Sequence, residues 1–224
     1  RLLELKTEVV LNGVEYGNGM IAFLMITAAV VIGVSSFAYL HNKKKVDFYH
    51  SIPVRREALF GAQFSGGIFM VGAAYGFNLL LLTGVALSYG VPAGRILGAM
   101  AGGWALNMLY YALMYSVAVA AMMMTGNIVV GVLGTGVFFF FLPGVMMLLG
   151  WYCETFFVTT ARYMWSSDQS PFTWGVRYLS PFSVYINSFG WKMNELVKHV
   201  PELICTILAF LAVATLDLEP VSYT

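Results

Sequence analysis

Lys43, Lys44 and Lys45, with Arg55 and Arg56 a few positions on, gather five of the chain's 12 Lys and Arg into one short stretch, residues 41–60 (HNKKKVDFYHSIPVRREALF), between two long apolar runs. A cluster of that kind does electrostatic work rather than bond chemistry: it attracts an acidic protein surface or anionic lipid headgroups. Val46, Tyr49 and Ile52 recur at spacings of three within it, so a short helix there presents them on one side as an apolar docking face. Pro53 ends that helix or begins the next.

Catalytic signatures are missing. The chain contains no HExxH, GxSxG, GxxxxGK[ST] or Cys-x-x-Cys, so no covalent chemistry is expected of it, and if ATP powers the protein another chain hydrolyses it. His41 and His50 flank the basic stretch and His199 stands apart. With no carboxylate or Cys cluster at ligand spacing, no metal site is expected, and all three read as interfacial polar residues. Cys153 and Cys205 map to the outer ends of apolar runs, where free thiols are the simpler expectation and a disulfide the alternative.

Composition sets the medium in which these residues work. Hydrophobic residues make up 59% of the chain and charged ones 10%, against about 25% charged in an ordinary soluble domain. That balance excludes a water-soluble globular protein and predicts an all-α, polytopic membrane protein. Residues 20–40, 62–87, 96–124 and 128–150 each approach or exceed the roughly 20 residues needed to cross about 30 Å of hydrocarbon. A fifth run, residues 203–216 after Pro201, is only about 14 residues long and falls short of a crossing; with Pro201 it is taken as a clipped fifth span, residues 201–216.

The positive-inside rule places residues 41–60 in the cytosol. The other connections then alternate: residues 88–95 outside, 125–127 inside, 151–200 outside, with residues 1–19 extracytosolic. An outer N-terminal segment predicts one further span upstream, making six per subunit. Asp217 and Glu219 make residues 217–224 an acidic tail whose placement is open. Residues 151–200 are dense in Trp and Tyr, which favour headgroup level, and Pro143-Gly144 interrupts the preceding run, so a kinked or re-entrant outer segment is expected.

Within the spans, Asn78, Asn107, Tyr110, Tyr111 and Tyr115 must bond to protein or line a wet path. Asn107 and Tyr111, like Tyr111 and Tyr115, are one helical turn apart and share a face. Interhelical bonding is the favoured reading and substrate-path lining the second. Gly72 with Gly76, and Gly98 with Gly102, form small-xxx-small pairs, read first as packing within the subunit and second as subunit contacts. Ionisable residues are nearly absent from the spans, which argues against proton coupling, and Glu154 reads as an interfacial carboxylate.

Residues 37–60, FAYLHNKKKVDFYHSIPVRREALF, resemble the cytosolic signature of the type-2 ATP-binding cassette (ABC) exporter permeases of Gram-positive bacteria. Residues 178–186, YLSPFSVYI, are similar to that family's outer segment ahead of its last helix. The resemblance implies that residues 42–56 hold a coupling helix docking on a nucleotide-binding ATPase subunit, through Lys43, Lys44, Lys45, Val46, Tyr49, Ile52, Arg55 and Arg56. It implies two permease and two ATPase subunits in a bacterial plasma membrane, with outer helices in residues 151–200 capping the pathway. ATP and Mg would be bound by the partner subunit, this chain would hold no cofactor, and nucleic acid would play no part. A non-transporting scaffold or sensor that recruits a cytosolic protein is the alternative, and an ion-coupled carrier a third, disfavoured for want of buried charge.

Overall fold

A computed structural model describes residues 18–41, 54–157, 180–188 and 193–216 of the chain. The elements are α1 (Gly19–Phe37), continued by a 3-10 turn (Ala38–His41), α2 (Arg56–Ser88), α3 (Ala93–Met123), α4 (Ile128–Phe156), a short α5 (Pro181–Ser188) and α6 (Met193–Leu216). No strand occurs among the described residues.

Local chemistry sets the ends of these helices. Asn18 caps α1 by accepting from the Met20 N–H at 3.0 Å, and Asn127 caps α4 by accepting from the Val129 N–H at 2.9 Å, each satisfying a donor that the first turn leaves free. Between α2 and α3, Gly90 adopts a φ of 82°, a left-handed conformation open to glycine at little steric cost. The Val91 N–H then reaches back to the Ala86 carbonyl and closes the end of α2.

Among the described residues, Gly19–His41, Arg56–Ser88, Ile96–Met123 and Lys198–Thr215 are long and apolar enough to cross a membrane, and α4 adds a fifth crossing if its two bent halves count as one. α2, at 33 residues, is about 50 Å long and outruns an apolar core of about 30 Å. Its helical start lies at Arg56, three residues after Pro53 and within the basic stretch of residues 41–60. The last helix departs from expectation: it begins at Met193 and runs through Pro201. The polar residues ahead of the apolar run are absorbed into the helix, where His199 Nδ1 lies 2.9 Å from the Glu202 carboxylate one turn on, and at 24 residues it is long enough to cross.

α3 is the axis of the fold. Over its apolar window 83% of it is buried, against 28% for α1 and 17% for α2, and it packs on α1, α2, α4, α5 and α6. α1 runs parallel to it and presents a seam of Ala22, Met25, Ala29, Gly33 and Phe37, a spacing of three or four that keeps small residues on one side. At Gly33 the backbones come so close that an added Cβ would stand 2.8 Å from the Ala118 Cβ. α2 runs antiparallel on another side, presenting Phe60, Gly67 and Val71 to the core. The large exposed apolar side chains of α1, α2 and α4 cover the outside of the bundle, as expected for helices solvated by lipid.

Candidate functional site

The polar residues of the spans converge on one face of α3. Tyr111 Oη donates to the Gly67 carbonyl at 3.2 Å, Tyr115 Oη to the Gln63 carbonyl at 3.4 Å, and Trp104 Nε1 to the Gly72 carbonyl at 3.2 Å. These three α3 side chains reach main-chain oxygens of α2 over successive turns, using the lone pair that each helical carbonyl retains after its own ladder bond. Glycine at 67 and 72 makes the approach possible. A Cβ at Gly72 would lie 3.2 Å from the end of Met108, and one at Gly67 would overlap the Tyr115 phenol.

Asn107 is the meeting point of three helices. Its Nδ2 donates to Tyr75 Oη of α2 at 3.1 Å and to the Gly103 carbonyl at 2.9 Å, while its Oδ1 accepts from Tyr185 Oη of α5 at 3.2 Å. Tyr185 also stacks on Tyr110, with ring centroids 4.7 Å apart. Tyr110, Tyr111, Tyr115 and Tyr185 are fully buried. Of the five residues expected to bond between helices or line a path, four therefore belong to one interhelical cluster. Asn78 stands apart: it is exposed on α2 and donates to the Ala74 carbonyl of its own helix at 2.8 Å.

α5 reaches this cluster beside a defect in α4. Pro143 lies within α4 and has no N–H, so the ladder bond to the carbonyl four residues back, that of Phe139, cannot form. The two halves of α4 meet at a bend of 43°, and the buried Ser180 hydroxyl donates to the Phe139 carbonyl. Phe182 packs against Phe139 and Phe140 at centroid distances of 6.3 and 5.0 Å. α5 is thus seated against the middle turns of α3 and α4 rather than across their ends.

The opposite end of the bundle gathers the elements around the basic stretch. Phe37 of α1 meets Phe60 of α2 at 5.5 Å, so the chain leaves and re-enters the bundle at neighbouring points. His41 Nε2 lies 2.7 Å from the Thr125 carbonyl in the turn between α3 and α4. A carbonyl can only accept, so Nε2 carries a proton and donates it to Thr125. Arg55 and Arg56 are exposed at the start of α2. Lys43, Lys44, Lys45, Val46, Tyr49, His50, Ile52 and Pro53 lie outside the described residues.

Gly72 and Gly76 both face α3 within the chain, whereas Gly98 opens on free space. Cys153 and Cys205 are free thiols, and Glu154 is exposed near the end of α4. Among the described residues no three His, Cys, Asp or Glu side chains gather closely enough to hold a metal ion. What the cluster offers is aligned dipoles and hydroxyls held between helices, suited to fixing helix positions. Tyr75, Tyr185 and Ser180 were not legible as partners of Asn107 and Phe139, because no spacing rule links residues on separate helices. Pro143 was the one available signal, since a proline inside a span frees a carbonyl that something must satisfy. The chain finds no match among known protein families, curated proteins or solved structures.

Proposed function

We propose that this chain is the membrane-spanning permease subunit of an ABC exporter. It moves an amphipathic substrate such as a peptide, lipid or drug across a bacterial plasma membrane, with ATP hydrolysed by a separate nucleotide-binding subunit that also holds Mg. The observation that carries the proposal is the basic stretch itself: residues 42–56 join α1 and α2, which meet through Phe37 and Phe60. A protein pressing on that stretch presses on both helices at once. Arg55 and Arg56 are exposed at the start of α2, which is longer than the apolar core, and on this reading that end projects toward the soluble partner. The bond from His41 to the Thr125 carbonyl ties the same end to α3, the axis on which the other helices pack. Nucleotide-driven closure of the ATPase pair would move the coupling stretches and bias the helices between two arrangements.

A second reading, a scaffold or sensor that recruits a cytosolic protein without transport, draws on one observation: Asn107, Tyr111 and Tyr115 spend their hydrogen-bonding groups on neighbouring helices. Purification from the native membrane in mild detergent, with identification of co-eluting chains and an ATPase assay, separates the two. A stoichiometric ATPase whose turnover depends on this chain supports the exporter, and its absence across several detergents favours the scaffold.

A further inference from the structure

The meeting of Pro143, Phe139 and Ser180 carries an inference that does not depend on the transport reading. A backbone carbonyl freed by a proline inside a membrane helix must find another donor, because lipid supplies none. Here the donor comes from outside the helix, from the residue that opens α5. The Ser180 carbonyl already accepts from the Val184 N–H at 2.9 Å as the first turn of α5 closes, and its hydroxyl is directed into α4 instead. Ser180 is fully buried and Phe139 nearly so, so water cannot readily replace either partner. Beyond this bond, Phe182 rests on Phe139 and Phe140 beside the bend, and Tyr185 reaches Asn107 and Tyr110. All of these contacts hold α5 at one depth in the bundle.

We infer that Ser180 is a positioning residue that acts through the carbonyl Pro143 vacates, forming a clasp in which the bend of α4 and the seating of α5 stand or fall together. With the proline present, losing the serine hydroxyl strands a buried acceptor, and α5 loses its anchor at the bend. With an alanine at 143, the residue's own N–H can satisfy Phe139 and the serine hydroxyl becomes dispensable. The energetic importance of Ser180 is therefore conditional on the identity of a residue in another helix, with which it need make no contact of its own.

The test is a four-protein cycle in the full chain: unchanged, Ser180→Ala, Pro143→Ala and both together, each with Cys153→Ala and Cys205→Ala and a reporter Val184→Cys. Val184 packs against the core on the seated side of α5, so its labelling by a membrane-impermeant maleimide reports how far α5 has left its seat. With Pro143 in place, Ser180→Ala is expected to raise the labelling rate roughly tenfold, the scale of stranding one buried acceptor. With alanine at 143 the same substitution is expected to change it by less than about twofold. Equal factors in the two backgrounds, or no change with Pro143 present, would overturn the clasp. A Ser180→Ala chain that fails to fold supports it if Pro143→Ala restores folding, and counts against it if folding is not restored.

Discussion

Gly67 of α2 and Tyr115 of α3 occupy one space: a methyl group on the glycine would overlap the phenol ring, which is fully buried and bonded to the Gln63 carbonyl one turn away. The ring has little room to retreat, since Phe64 lies 5.0 Å from it and Tyr111 stacks on it at 5.7 Å. The spacing of α2 from α3 is thereby set at this level by the absence of one carbon atom.

Gly67→Ala is expected to destabilise the protein by about 1–3 kcal/mol, the range for forcing an extra methyl into a packed interior. Gly66→Ala is the control. A Cβ there meets open space, and removing a helix-interior glycine gains at most about 1 kcal/mol. Thermal unfolding in a single detergent compares the two, and equal effects would show that the helices do not approach as closely as described.

Asn107→Ala is expected to cost more than either of its tyrosine partners. Tyr75→Phe and Tyr185→Phe each remove one side-chain bond, averaging about 0.6 kcal/mol within a membrane bundle. The alanine removes both of these bonds together with the amide that joins three helices, and should cost about 1–3 kcal/mol. In Asn107→Ala chains the two Phe substitutions should become close to neutral, which unfolding measurements on the double variants can check.

His41→Ala removes the bond to the Thr125 carbonyl, and His41→Gln retains a side-chain N–H that can donate to it. The expected loss for alanine is about 0.5–1.5 kcal/mol, with glutamine recovering part of it. On the exporter reading, alanine should also lower substrate-stimulated ATPase turnover while leaving the ATPase subunit's own basal rate unchanged. Equal ATPase behaviour of both variants and the parent would remove His41 from the coupling route.

Replacing Val46, Tyr49 and Ile52 together by Ser is expected to separate ATP consumption from transport without inverting the topology, since the basic residues remain. Reversing Lys43, Lys44 and Lys45 to Glu should weaken binding of the ATPase subunit, and topology mapping must accompany it because those lysines also orient the chain. Unchanged transport per ATP in the Ser variant would count against docking through residues 42–56.

The spans were legible in the sequence because lipid imposes one simple demand, a long apolar run, and residues 20–40 and 96–124 differ from α1 and α3 by only a few positions. The length of α6 was not, because Asn194, Glu195, Lys198 and His199 interrupt the apolar residues ahead of Pro201, features that read as a boundary although a helix can continue through a proline when it loses only one ladder bond. The shared face of Asn107, Tyr111 and Tyr115 followed from helical spacing. Their partners Tyr75, Gly67 and Gln63 did not, since the register between two helices depends on side-chain fit along their whole length. Asn78 shows the limit from the other side: it carries the same amide as Asn107, but on a face of α2 turned away from α3, where its own helix satisfies it.

The enclosure of α3 also bears on how the chain is made. A helix of this character cannot simply remain where the insertion machinery releases it. Its Asn107, Tyr111 and Tyr115 need the already inserted α2, and its other sides need α4, α5 and α6, which are synthesised later. At about 5–20 residues per second, the interval between completing α3 and completing α6 is on the order of 5 to 20 s. Throughout that time the face of α3 that carries Asn107, Tyr111 and Tyr115 must be sheltered by α1 and α2 or by an insertion chaperone. Substitutions along the α1 and α2 seams are therefore expected to lower yield in the membrane even where the finished protein would tolerate them.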